Sequence, residues 1–383
     1  MIENDLENEI LQEKIEGIQE STSNKFTLSP FYHPFLKENK NILSISKSQK
    51  YIYIITDRPE LLLIESKSLK PILKTIPIPA TKNNSKFNEN LTKIWSDRAG
   101  NHNIIRYDGA IYYYNSSFSE IKQLKNFKDI EISAVDFDDR NTDCENTNKF
   151  LVVDYNNNIY ECNIKIEQKK DNYNIKEKIE KITTFNFYDW EYEEEDNFIT
   201  GENKNNERIT DIKYFRATKS NLDKNEDAFY IIAVTENRFY QFRGPGLTGF
   251  KQLFGRYNND PLLFNDSCKF FPKIYNLKGN TKKNYLNILY RNEQRSTGEK
   301  NSNYTEVFSQ FGWKTDTGYC FGNFEYDNSL FTTGLPKDQT KFTVMPFSKI
   351  TRQGEKICGE QPIDIIHTNN HIFFFISRLF YCY

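Results

Sequence analysis

Apolar and polar positions alternate with short breaks along most of the chain. ILSIS (42–46), YIYIIT (51–56) and LLLIE (61–65) follow one another, the last two parted by Asp57-Arg58-Pro59. LTKIWSD (91–97) and HNIIRYD (102–108) flank Arg98-Ala99-Gly100-Asn101, and Asp108-Gly109 leads into AIYYYN (110–115). Asp-Gly between apolar runs is a strong hairpin signal, because both residues accept a left-handed backbone. DIEISAVDF (129–137), FLVVDY (150–155) and IYECNI (159–164) repeat the grammar, with Asn156-Asn157-Asn158 as the turn. ITDIKYF (209–215), AFYIIAVT (228–235) and RFYQFR (238–243) do so again around Glu236-Asn237. KFTVMPF (341–347), PIDIIHT (362–368) and HIFFFIS (371–377) come last.

Strand, loop, strand, tight turn, strand therefore recurs every few tens of residues, and no long helical pattern stands between strands. That excludes a parallel α/β sheet. Propeller blades of about 40–50 residues and four short strands fit both period and content. A β-sandwich would need two or three copies to use so many strands. The reading is all-β, a propeller of six or seven blades. HIFFFISRLFYCY ends the sequence without a turn signal, so the last blade is incomplete unless FTLSPFY (26–32) supplies its final strand.

Residues 1–24 are set apart as a tail or short helix, since Ile2, Leu6, Ile10, Leu11, Ile15 and Ile18 fall on helical spacing. Residues 25–383 form the propeller. Two polar stretches, 138–148 and the acidic 188–207 (YDWEYEEEDNFITGENKNNE), read as surface loops. In FGWKTDTGYCFGNFEY (311–326), Trp313 and Tyr319 are expected to anchor a blade, with 314–318 as the turn. Phe311, Trp313, Tyr319 and Phe321 are read as one buried face.

Composition changes the picture in two places. Hydrophobic content of 37% is low for a folded chain, but 15% aromatics offset it, because each buried ring removes about 150–250 Å² from water. A net charge of −2 gives no basic excess, so no nucleic-acid partner is expected. The start, MIENDLENEI, is acidic where a secretory signal would be basic. The longest apolar runs fall far short of the ~20 residues of a membrane helix. A cytoplasmic protein that meets membranes through partners is expected.

Candidate chemistry is sparse. Gly244-Pro245-Gly246-Leu247-Thr248-Gly249 spells GxGxxG, but no helix pattern follows to hold a pyrophosphate. The carboxylates of DWEYEEED (189–196) lack the alternating ligands and Gly turn of a calcium loop. His367 and His371 flank a turn between strands, not a helix face. Cys144, Cys162, Cys268, Cys320, Cys358 and Cys382 form no CxxC pair. No catalytic, cofactor-binding or metal-ligating residue is assigned, and no cofactor. The runner-up reading is a glycosidase or lyase propeller with turn carboxylates such as Asp97, Asp154 and Asp316 in its channel. A third is a generic coat or scaffold propeller.

Four phrases in order carry a resemblance. They are LTKIWSDRAGNHNIIRYDGAIYYYN, the stretch ISAVDF to IYECNI, the stretch ITDIKYF to RFYQFRGPG with FKQLFGRY, and FGWKTDTGYCFGNFEY. Ile159-Tyr160-Glu161 keeps a family strand, whereas Val153-Asp154-Tyr155 replaces a Gly-Thr and Asp316 a Gly. The chain resembles the N-terminal domain of the vacuolar protein sorting-associated protein 18, or Deep Orange, family from about Leu43 onward. The resemblance implies a seven-bladed propeller acting as a non-catalytic scaffold in the HOPS and CORVET tethering complexes. It implies vesicle docking, vacuolar protein sorting and vacuole organisation at late endosomes, lysosomes or vacuoles. Implied partners are the other class C subunits, the Sec1-like subunit and, indirectly, Rab GTPases and SNAREs. Family members continue into an α-solenoid and a RING. This sequence stops at Tyr383 without RING cysteine spacing, so ligase activity is not carried over, and the chain is either a fragment or a propeller-only relative.

Overall fold

The structure is a computed structural model that describes residues 29–31, 41–66, 74–79, 91–138, 145–169, 172–185, 188–192, 199–203, 208–217, 228–235, 239–245, 251, 285–294, 304–314, 318–323, 342–346, 351–352, 355–356, 364–367, 372–376 and 379–382. Strand β1 (Ser29–Phe31) comes first. The first sheet holds β2 (Ile42–Lys47), β3 (Tyr51–Thr56), β4 (Glu60–Glu65) and β5 (Lys74–Pro77). The second holds β6 (Lys93–Ser96), β7 (His102–Tyr107), β8 (Ala110–Asn115) and β9 (Ile121–Gln123). The third holds β10 (Ile132–Phe137), β11 (Phe150–Asp154), β12 (Asn158–Lys169) and β13 (Asn172–Thr184). A separate two-stranded hairpin, β14 (Tyr188–Tyr192) and β15 (Ile199–Asn203), precedes the fourth sheet.

That fourth sheet has three described strands, β16 (Asp211–Ala217), β17 (Ala228–Val234) and β18 (Phe239–Pro245). The fifth holds β19 (Tyr285–Gln294), β20 (Tyr304–Lys314), β21 (Gly318–Asn323) and β22 (Phe342–Pro346). After the small pair β23 (Thr351–Arg352) and β24 (Glu355–Lys356) come β25 (Asp364–His367), β26 (Ile372–Ile376) and β27 (Leu379–Cys382). β1 pairs antiparallel with β27, Ser29 opposite Cys382 and Phe31 opposite Phe380, so the last sheet is four-stranded in the order β1-β27-β26-β25. The strand expected from FTLSPFY does complete the final blade.

The first strands of these sheets pack in a closed series: β2 on β6, β6 on β10, β10 on β16, β16 on β19, β19 on β25 and β25 on β2. Among the described residues the ring therefore closes around six sheets, where the family resemblance led to an expectation of seven. Apart from β1, which joins β27 from the other end of the chain, each sheet is a meander of antiparallel neighbours, the topology that short turns between consecutive strands dictate.

Burial explains why the strands read as nearly continuous apolar runs. Ile105, Tyr107, Tyr112 and Tyr114 of the second sheet meet Tyr53, Ile55, Leu61 and Leu63 of the first. Ile104, Ile111 and Tyr113 on its other face meet Val135, Phe137, Phe150 and Val152 of the third. A blade covered on both sides needs apolar residues at every position, and AIYYYN supplies them.

The same fact corrects one expectation. Trp313 and Tyr319 are fully buried, as anchors should be. However, Trp313 stands opposite Cys320, and Tyr319 opposite Lys314. Opposed residues share a face, so Trp313 and Phe311 lie on one face and Tyr319 on the other. Both faces are core, and alternation alone could not tell this.

Turn chemistry follows the sequence closely. Asp108 and Gly109 have φ of 50° and 82°, the doubly left-handed geometry of a two-residue hairpin between Tyr107 and Ala110. Asn157 takes φ of 58° at the turn into β12.

Candidate functional site

The turn carboxylates are the first place to look for chemistry, because the enzyme reading rests on them. Asp97 directly follows β6, and its Oδ1 accepts the backbone N–H groups of Asn101 at 2.7 Å and His102 at 2.8 Å. It is buried, which pushes its pKa up, while those N–H groups and the nearby His102 pull it down. Asp154 does the same for the next blade, accepting N–H groups from Asn156 and Asn158 and the hydroxyl of Tyr160 at 3.1 Å. Both carboxylates hold a turn in shape. Asp316 lies outside the described residues.

Interior groups with reactive potential are likewise enclosed. His102 is fully buried, with Nδ1 2.5 Å from the Tyr113 hydroxyl. Cys162 is buried in the core between the second and third sheets, and burial drives its thiol pKa up, the wrong direction for a nucleophile. Among the described residues no three His, Cys, Asp or Glu side chains gather where they could hold a metal ion. Gly244 and Pro245 end β18, a strand; the rest of the GxGxxG match, and His371, lie outside the described residues. His367 is the last residue of β25, opposite Ile372.

Polar chemistry is concentrated instead at the seams between blades. The Ser44 hydroxyl of β2 accepts the Ile94 N–H of β6 at 3.1 Å. From the same strand, Lys93 Nζ donates to the carbonyls of Ser133, on β10, and Thr210, just before β16, each at 3.3 Å. Asp136 of β10 accepts the Tyr214 N–H of β16 at 2.5 Å and pairs with Lys213 Nζ at 3.0 Å. One polar side chain from each of β2, β6 and β10 thus grips the backbone or a side chain of the next inner strand. Arg106, buried beside Trp95, donates to the Ile132 carbonyl across the seam between second and third sheets. A hydrogen bond to a charged group is worth about 1.5–3 kcal/mol, and burial leaves no water to replace it.

The blade edges are tied as well. Tyr53 donates to the Gly100 carbonyl at 2.6 Å and Tyr112 to that of Pro79 at 2.8 Å. The long edge strand β13 is clasped from the second sheet. Glu177 accepts the N–H groups of Lys125 and Asn126, Lys122 donates to the Tyr173 carbonyl, and Phe118 stacks on Tyr173 at 4.0 Å. Further along β13, Lys178, Glu180 and Lys181 are exposed, and alternating charges on an edge discourage stray pairing.

Sequence reasoning missed two elements here. β13 was hidden because its strand pattern is written in Lys and Glu. The acidic stretch 188–207, read as a loop, contains the hairpin β14–β15, with Tyr188 opposite Asn203 and Tyr192 opposite Ile199. Tyr188, Trp190 and Tyr192 at alternate positions were the available signal.

A closed ring of antiparallel blades, welded by buried polar seams and with its described turn carboxylates engaged in structure, is a scaffold-type β-propeller. The profile of the Pep3/Vps18/deep orange beta-propeller domain matches residues 25–381, and the chain belongs to that family. No curated protein sequence matches. Among solved structures, the WD40 domain of SCAP from fission yeast is similar with a TM-score of 0.42 and 11% identity, covering 91% of this chain and 81% of that one. The Neurospora crassa Pan2 WD40 domain gives 0.37 and 8%, covering 94% of each. The Vanderwaltozyma polyspora Nup133 β-propeller domain gives 0.35 and 10%, covering 88% and 81%. Among the described residues no helix is long and apolar enough to cross a membrane.

Proposed function

We propose that the chain is the non-catalytic propeller of a class C vesicle-tethering subunit, acting in endosome–lysosome or vacuole docking and in vacuolar protein sorting. The observation that carries this reading is the family match over nearly the whole chain, residues 25–381. Residues 25–383 serve as one propeller, with 1–24 as a tail or short helix outside it. The domain works by offering rigid faces and loops to other class C subunits, a Sec1-like subunit and, through them, Rab GTPases and SNAREs. The seams support this use: a body whose blades are bonded through Lys93, Asp136 and Arg106 keeps its surface geometry while load passes between membranes.

Membrane association is peripheral and made through partners. Fractionation of its own cells tests it. The chain should sediment with late-endosomal or vacuolar membranes and come off in high salt. Recovery wholly in the soluble fraction, or release by detergent alone, would contradict the reading.

A further inference from the structure

The ring is closed by three residues, and their register shows what the closing position selects. Two residues separate β26 from β27, whose last pair is Ile376 with Leu379. The closing pair of such a hairpin is hydrogen-bonded, and hydrogen-bonded and non-bonded pairs alternate from there. Phe374 with Tyr381 is therefore a bonded pair, which spends the backbone groups of Tyr381 on the β26 side. On the other edge of β27, Tyr381 faces Pro30. Proline, which has no N–H to give, sits where none is wanted. Ser29 with Cys382 and Phe31 with Phe380 are the bonded pairs of this edge. The strap is short, has two bonded positions and carries proline at the one place where it costs nothing.

We propose that the outer edge of β27 is an acceptor site for an extended, proline-centred segment of a partner protein, and that β1 is a strap occupying it in the resting chain. The native occupant defines the ligand: a strand of about three paired residues with proline at the middle position, added antiparallel by backbone hydrogen bonds. Strand ends with few pairs open at low cost compared with global unfolding, so the strap can lift while the blades stay folded. A tethered strand competes at an effective concentration on the order of millimolar, which sets the threshold a partner must beat. This holds whether or not the tethering reading is right.

The test uses the full chain with Ser29→Cys, whose new thiol faces the native Cys382 in register. Cα atoms of a bonded antiparallel pair lie about 5.5 Å apart, within disulfide reach. The probe is a fluorescent peptide of sequence FTLSPFY, residues 26–32. Reduced S29C should bind it, and oxidised S29C should show at least tenfold weaker binding. A second variant, Ser29→Pro, places proline at a bonded position, loosens the strap and should bind more tightly than wild type. A peptide with Ser and Pro exchanged should bind at least tenfold more weakly than FTLSPFY. Equal binding by oxidised and reduced S29C, no binding by either reduced S29C or S29P, or indifference to the exchange would overturn the proposal. A concentration-dependent dimer under reducing conditions that blocks the peptide would give the site to a second copy of this chain and overturn the partner assignment.

Discussion

The Asp136 carboxylate accepts the backbone N–H of Tyr214 at 2.5 Å, joining the inner strand of the third sheet to that of the fourth. Burial raises its pKa to about 6, against the opposing pull of Lys213 and the Tyr214 N–H, and its side chain is 14% exposed. The folded value lies above the ordinary carboxylate value of about 3.9, so the native state holds this proton more tightly than the unfolded chain. Its contribution is full below about pH 4 and is lost as pH rises through about 6. Asp136→Asn keeps an acceptor for Tyr214 and removes the titration. Denaturant melts at pH 4.5 and 6.5 should show wild type losing about 2 kcal/mol relative to Asp136→Asn on the alkaline side. A difference that is constant with pH would contradict the buried seam.

Trp313 tests the fifth sheet. It is fully buried, in the strand that pairs with β19 and β21. Trp313→Ala should cost about 3–5 kcal/mol in chemical denaturation. A loss under about 1 kcal/mol, the size of a surface change, would place it outside the core.

Two glycines separate backbone strain from crowding. Gly100 and Gly109 share φ near +80°, at 83° and 82°. A Cβ at Gly109 meets nothing closer than Leu91 at 3.7 Å, whereas at Gly100 it falls 2.4 Å from Ser48 Oγ and 3.0 Å from Ser48 Cβ. Gly109→Ala should cost about 1 kcal/mol from strain alone. Gly100→Ala should cost at least about 1 kcal/mol more, because overpacking adds to strain. Equal thermal shifts for the two variants would contradict the close approach of the β2–β3 and β6–β7 turns.

Most strands were legible in the sequence because both faces of a blade are covered. ILSIS, YIYIIT and AIYYYN could be nothing but buried strands, and Asp108-Gly109 announced its own turn. The ring closure was legible from FTLSPFY, a strand phrase ahead of the first sheet. What stayed hidden has a common cause. Ser44, Lys93 and Asp136 are single polar letters inside strands, and only the packing of β2, β6, β10 and β16 shows them gripping the next blade. β13 and β14–β15 were hidden by charge; in β13 that charge marks an exposed edge rather than absence of a strand. The number of blades depends on how far the ring must turn to close, a property of packing angles that no local pattern carries.

Removing the residues before Phe35 takes away β1 and exposes the edge of β27. The shortened chain should aggregate, since an unpaired edge invites pairing with another chain. A soluble monomer with unchanged melting would mean the ring does not need β1.

The central claim is membership of a class C tethering assembly, and affinity purification of the tagged chain from its own cells tests it most directly. The account predicts co-recovery of the other class C subunits and the Sec1-like subunit at comparable abundance, surviving moderate salt. Recovery of the folded chain with none of them would contradict it.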